Sequence, residues 1–204
     1  MGELAGLWRD AVRVLGGDVG PEPVDLDERY AEPHRGYHGT AHVLAVVRDV
    51  LDLAAGRTDR ERAVLTLAAL AHDVVYDGVP GEDERRSAEW ARARLAGLPA
   101  ADRVAGIVLA TTDHASDDDL TRLLLDADLA VLGSAPDAYE RYRAAVRAEY
   151  AHVDDAAWRA GRGRVLRSLL DRDPLYATAR ARDRWGRRAR VNLAAELSSL
   201  GDPP

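Results

Sequence analysis

The chain has 204 residues, 47% of them hydrophobic, and a formal net charge of -7, which suits one globular domain. All 28 basic residues are Arg and Cys is absent, so a Schiff-base lysine, a P-loop, a disulfide and a thiolate metal site are excluded. The acidic balance argues against nucleic acid, no run approaches the roughly 18–20 apolar residues of a membrane span, and no signal peptide is visible, so a cytoplasmic protein is expected.

Helical periodicity dominates. Leu4, Leu7, Ala11, Val14 and Leu15 form a first apolar stripe, ended by Gly16-Gly17. Residues 17–29, rich in Gly, Pro and Asp, read as a loop. A second helix is predicted from Tyr37 to Ala54, with Val43, Leu44, Val47, Val50 and Leu51 inside and Gly56 beyond its end. Thr58 and Glu61 have capping-box spacing and start a third helix. Its run from Val64 to Ala71 is apolar nearly all round, which predicts a central buried helix with His72-Asp73 at its C-terminal end. A loop follows through Asp77-Gly78-Val79-Pro80-Gly81. Further helices are expected near 83–97, 100–113, 119–132, 136–151, 155–171 and 179–199. No strand alternation stands out, so the fold class is all-α.

Three His lie four apart at His34, His38 and His42, half of the chain's six. Pro33 and two Gly make the start of this segment a loop leading into the helix. His38 and His42 are left one turn apart if the helix begins early. Asp73 closes so apolar a helix that an unpaired charge there would be costly, which points to metal or an ion pair. Asp126 and Asp128 lie inside the apolar run Leu123–Leu132, and buried carboxylates need a cation or several donors. One is read as a metal ligand and the other as orienting a ligand His; spacing does not decide which. Together His42, His72, Asp73 and one of these acids make a four-ligand set suited to one divalent ion such as Mn, Fe, Co, Ni or Zn.

With their context, these residues resemble the HD superfamily of metal-dependent phosphohydrolases, specifically a bacterial branch of predicted enzymes. The likeness is carried by Tyr30–Arg35, Tyr37-His38 with His42, and His72-Asp73. It continues through Glu84 with Ser87-Ala88, Asp126–Gly133, Arg147–Tyr150 and Ala189–Leu197. It spans roughly residues 30–197 of a single helical-bundle domain over 1–204, with an N-terminal helix and loop at 1–29. The resemblance implies His42, His72, Asp73 and Asp128 as metal ligands and gives Asp126 the outer-shell role.

Related hydrolases place a Glu shortly after the His-Asp pair; here Val75 and Tyr76 stand there. Asp77, then Glu84, are therefore the candidate acid-base residues, Glu84 alternatively complementing a helix dipole. Dinuclear relatives need two more His before the final Asp. Only His114 lies there, which favours one metal. His114 is read as a phosphate contact or a helix C-terminal His, Arg35 as a bidentate phosphate clamp, and His38 as facing substrate. The Arg-rich run from Arg180 to Arg190 is read as a solvated helix face, partly paired with the acidic surplus.

The expected activity is hydrolysis of a phosphate ester or anhydride in a small nucleotide or phosphorylated metabolite. The expected partner is that small molecule, with no nucleic acid and no membrane, and a homodimer is left open. The alternatives are a non-catalytic nucleotide-binding regulator and a diiron oxygenase.

Overall fold

The structure, a computed structural model, describes residues 2–17 and 25–201. Every regular element among them is helical, as the composition predicts. None of these helices is long and apolar enough to cross a membrane. By packing, the chain divides into two compact units, Met1–Ala127 and Asp128–Pro204.

The first unit contains α1 (Glu3–Val14), α2 (Leu26–Tyr30), α3 (Thr40–Leu53), α4 (Asp59–Ala71), α5 (Glu82–Arg94), α6 (Ala101–Leu109) and α7 (Asp119–Asp128), whose last residue opens the second unit. Helix α4 is its axis. Residues 63–71 are all buried, and α1, α3, α5 and α6 each pack against α4. The one polar side chain in that run, Thr66, donates from Oγ to Arg62 O at 2.9 Å. Glu61 N–H donates to Thr58 Oγ and Thr58 N–H to Glu61 Oε2, completing the predicted capping box.

Two boundaries differ from the sequence reading. Residues 18–24 of the expected loop lie outside the described residues, but Leu26–Tyr30 at its end is helix. Five residues are too few to show periodicity; tertiary contacts hold this turn. The Asp27 carboxylate accepts from Leu4 N and Ala5 N at 3.3 and 3.2 Å, satisfying donors at the start of α1, and Tyr30 donates to Leu70 O at 3.0 Å. Helix α3 starts at Thr40, not Tyr37, because Gly39 is extended at φ -103°. His38 therefore precedes the helix and His42 lies within it.

At the start of α7, Asp118 accepts from both N and Oγ of Thr121 at 2.7 Å and pairs with Arg103 at 2.6 Å. Partial burial pushes its carboxyl up, but the Arg103 and Thr121 bonds prevail and hold it at about 2, below the ordinary 3.8. The stabilisation is thus present above pH 3.8 and is lost as pH falls from 3.8 toward 2. Asp118→Ala should lower stability at pH 7 and flatten this part of the acid limb, read from urea midpoints between pH 5 and about 2.

The second unit begins with a 3₁₀ turn, Leu129–Gly133, followed by α8 (Pro136–Glu149), α9 (Asp155–Leu170), α10 (Ala179–Ala181), a π turn (Arg182–Gly186) and α11 (Arg187–Ser199). The helices predicted at 119–132 and 179–199 are thus each broken in register. The two irregular stretches meet: a Cβ on Gly133 would lie 2.5 Å from Trp185 Cβ, so only glycine admits this approach. Asn192 Nδ2 donates to Leu132 O at 2.8 Å and Ser134 O at 3.0 Å, fixing α11 to the 3₁₀ turn.

Arginines close many element ends. Arg62 donates to Leu51 O and Ala54 O after α3, and Arg147 to Tyr150 O and Val153 O after α8. Arg190 donates to Leu170 O and Arg172 O after α9. Helix C-termini carry carbonyls without intrahelical donors, and a guanidinium offers several N–H groups at once. The C-terminal Arg run is solvent-exposed, as expected, apart from the half-buried Arg190, and three of its members also serve the main chain. Arg182, Arg188 and Arg190 bind main-chain carbonyls of Tyr176 and Ala177, of Gly133, and of Leu170 and Arg172.

Candidate metal centre

The buried end of α4 and the first turn of α3 bring together three predicted ligands. His72 caps α4, Asp73 follows in a turn, and His42 lies in the first turn of α3. His42 Nε2 and His72 Nε2 face each other at 3.2 Å, and Asp73 Oδ2 lies 3.5 Å from the first and 3.0 Å from the second. Bond lengths of about 2.0–2.2 Å around a divalent ion set ligand–ligand edges of about 3.0–3.5 Å in tetrahedral or octahedral geometry. The observed triangle has those edges. Asp128, on the last turn of α7, offers a carboxylate oxygen to the same group, the ligand atoms of His42, His72 and Asp128 all lying within 4.8 Å of one another. This cluster could hold a metal ion.

The protonation pattern agrees. His72 Nδ1 lies 2.7 Å from Ala69 O, so it carries a proton, and in the neutral ring Nε2 presents its lone pair toward Asp73 and His42. A lone pair facing a carboxylate is repulsive unless a cation sits between them, either a proton or a metal. Burial alone would raise the Asp73 carboxyl. Where that cation is a proton on His72, its charge and the hydrogen bonds from His42 and His72 outweigh burial and hold the group far below the usual carboxylate range.

The turn after His72 is held by side chains at successive residues. Arg35 donates from Nη1 to Asp73 O at 2.7 Å and from Nη2 to Val74 O at 3.2 Å. Ser87 Oγ accepts from Val75 N and donates to Val75 O. His34 Nε2 donates to Tyr76 O at 2.8 Å, and Asp83 Oδ2 accepts from Asp77 N and Val79 N, each at 2.9 Å. The sequence reading gave Asp83 and Ser87 no role, although their i,i+4 spacing on a helix with buried Ala88 and Ala91 marks an inward polar pair.

Several expected site residues have other occupations. Arg35, read as a phosphate clamp, has a side chain only 1% exposed and is committed to Glu32, His38 O and the turn. The exposed carboxylate of Asp77 pairs with Arg86. Glu84 Oε2 accepts from Gly81 N at 2.6 Å at the start of α5, the helix-end alternative foreseen for it. His38 does lie beside the centre, its ring 5.5 Å from that of His42 and stacked on Tyr76 at 4.2 Å. Tyr37, to which the sequence reading gave no role, packs on His42 at 4.6 Å. Asp126 is buried on α7, about 200° around the helix from Asp128, so the two acids do not share a face.

His114 stands in the turn after α6 with φ +47°, the left-handed region. A side chain there costs about 1 kcal/mol relative to glycine. His114→Gly should raise unfolding free energy by up to about 1 kcal/mol, read by urea denaturation. A loss of stability instead would show that the imidazole itself holds the turn.

No family model matches the chain, and no curated protein or solved structure matches it.

Proposed function

We propose that this protein is a metal-dependent phosphohydrolase of the HD type. It would act on a phosphate ester or anhydride in a small nucleotide or phosphorylated metabolite. The observation that carries this reading is the triangle of His42 Nε2, His72 Nε2 and Asp73 Oδ2 at 3.0–3.5 Å, with the His72 lone pair turned inward. His42, His72, Asp73 and Asp128 are the proposed ligands of one divalent ion, chosen from Mn, Fe, Co, Ni and Zn. Two imidazoles with carboxylates suit that borderline series. When bound, such an ion polarises a phosphoryl oxygen and acidifies water.

The chain's own residues would do the rest. Ala69 O fixes the tautomer of His72, and the side chains around residues 73–77 fix the direction of the Asp73 carboxylate. His38, held flat against Tyr76, is the side chain we assign to the substrate face. The cytoplasmic setting and the absence of nucleic-acid and membrane partners belong to the same proposal, resting on the cysteine-free, acidic composition.

The test is phosphate release from a panel of nucleotides and sugar phosphates after chelation and reloading with each metal. Turnover that disappears with chelator and returns with one ion supports the hydrolase. A second reading, a nucleotide-binding regulator, is favoured by the engagement of Asp77 with Arg86 and of Glu84 with Gly81 N. Nucleotide affinity without phosphate release under every metal would select it. Two irons per chain with dioxygen consumption would select the oxygenase instead.

A further inference from the structure

The main chain leaves α4 at Ala71 and passes through Asp73, Val74, Val75 and Tyr76 without another helical turn. The carbonyls of that stretch need donors from elsewhere. Arg35, 38 residues earlier than Asp73, meets two of them, at Asp73 O and Val74 O. The guanidinium is itself tied down. Nε donates to Glu32 Oε2 at 3.0 Å and Nη1 to His38 O at 3.0 Å, while its carbon lies 5.1 Å from the Tyr30 ring and 5.7 Å from the Tyr76 ring.

Bidentate phosphate binding requires two adjacent N–H groups on one edge of the fork. Both Nη1 protons and the Nε proton are committed, so neither edge presents such a pair. The bonds run instead to the backbone of a residue whose carboxylate is one corner of the metal triangle. Carbonyl and side chain share the Asp73 Cα, so a shift in this backbone carries the carboxylate with it. Sites of this kind lose function on displacements of about 1 Å.

We infer that Arg35 is the positioning residue of the metal centre: it holds the main chain of Asp73 so that Oδ2 stays in place against His42 and His72, and it does not bind substrate phosphate. The inference rests on the metal reading above and adds to it the device that sets the site's geometry. Lysine cannot replace the fork, because one ammonium cannot reproduce the planar set of bonds to Glu32, His38 O, Asp73 O and Val74 O.

The experiment is Co(II) titration of chelator-treated full-length protein, followed by visible absorption, with thermal melts in parallel. Four proteins are compared: the natural sequence, Arg35→Lys, Glu32→Ala and Arg190→Lys. Arg35→Lys should weaken Co(II) binding about 10- to 100-fold and shift the visible bands. Glu32→Ala, which frees Arg35 Nε and removes the carboxylate 3.7 Å from His34 Nε2, should shift both in the same direction by less. Arg190→Lys disturbs a comparable pair of carbonyl contacts at the end of α9 and should lower the melting temperature alone.

Unchanged affinity and spectrum in both Arg35→Lys and Glu32→Ala overturn the inference, as does an Arg35→Lys effect confined to KM for a phosphorylated substrate. If Arg35→Lys does not fold, Glu32→Ala decides alone. Failure of the natural sequence to bind Co(II) is a different result: it removes the metal reading itself.

Discussion

Asp73→Asn should abolish metal binding at the proposed centre. The substitution keeps the shape of the side chain and leaves the Arg35 bond to the residue 73 carbonyl in place, so the turn retains its frame. What disappears is the negative charge 3.0 Å from His72 Nε2 and 3.5 Å from His42 Nε2. Two neutral imidazoles then face each other at 3.2 Å with no anion to offset a divalent charge. The affinity loss should exceed the roughly 100-fold upper range for outer-shell partners, and under the proposed hydrolase reading phosphate release should fall with it. The check is metal content per chain by mass spectrometry after identical dialysis of both proteins. Full occupancy in Asp73→Asn would remove Asp73 from the ligand set.

The largest stability effect is expected in the second unit. Glu196, buried on α11, accepts from Arg162 Nε at 2.8 Å and from Arg162 Nη2 at 3.1 Å, and the Tyr139 hydroxyl donates to it as well. Arg162 also donates to Tyr142 Oη at 3.0 Å. With side-chain exposures of 8% and 3%, this pair is shielded from water. Glu196→Ala leaves the guanidinium buried and uncompensated, which should cost about 3–5 kcal/mol in chemical denaturation. Arg162→Met combined with Glu196→Leu should recover much of that loss, because removing both charges removes the desolvation problem. A single variant within about 0.5 kcal/mol of the natural protein would mean water or another base reaches Arg162.

The parts legible in the sequence were those written in contiguous, periodic text. The apolar run from Val64 to Ala71 announced a buried helix, and the Thr58–Glu61 spacing its start, because both are local properties. The grouping of His42, His72 and Asp73 with one acid of α7 followed from chemistry, since buried charges at the ends of apolar helices need partners; the choice of Asp128 came from the family resemblance. Asp126 and Asp128 could not be ranked by spacing, and the helix register separates them. Helix α2 escaped because five residues gain their stability from Asp27 and Tyr30 reaching α1 and α4, which no local pattern reveals. Arg35 looked like a phosphate clamp beside a His cluster, while most of its acceptors are backbone carbonyls, which are invisible in side-chain text. Gly133 follows the apolar run Leu123–Leu132 without a local signal for its role, which is the close approach of Trp185.

Closing helix ends with guanidinium groups has a consequence at high pH. Arginine keeps its proton beyond about pH 12, so the ties on α3, α8 and α9 hold far into alkali, where lysine ammonium groups would already be lost. The groups that yield first there are phenols. Burial, then the charge and hydrogen bond of Glu196, push the Tyr139 hydroxyl well above its ordinary value of 10.0, and burial also raises Tyr142. A raised value in the folded state means the contribution is whole below pH 10.0 and shrinks as pH climbs past it, since the unfolded chain ionises first. Alkaline melting should therefore begin in the second unit, with tyrosinate absorption appearing together with the loss of α9 and α11, while α3 in the first unit keeps its end.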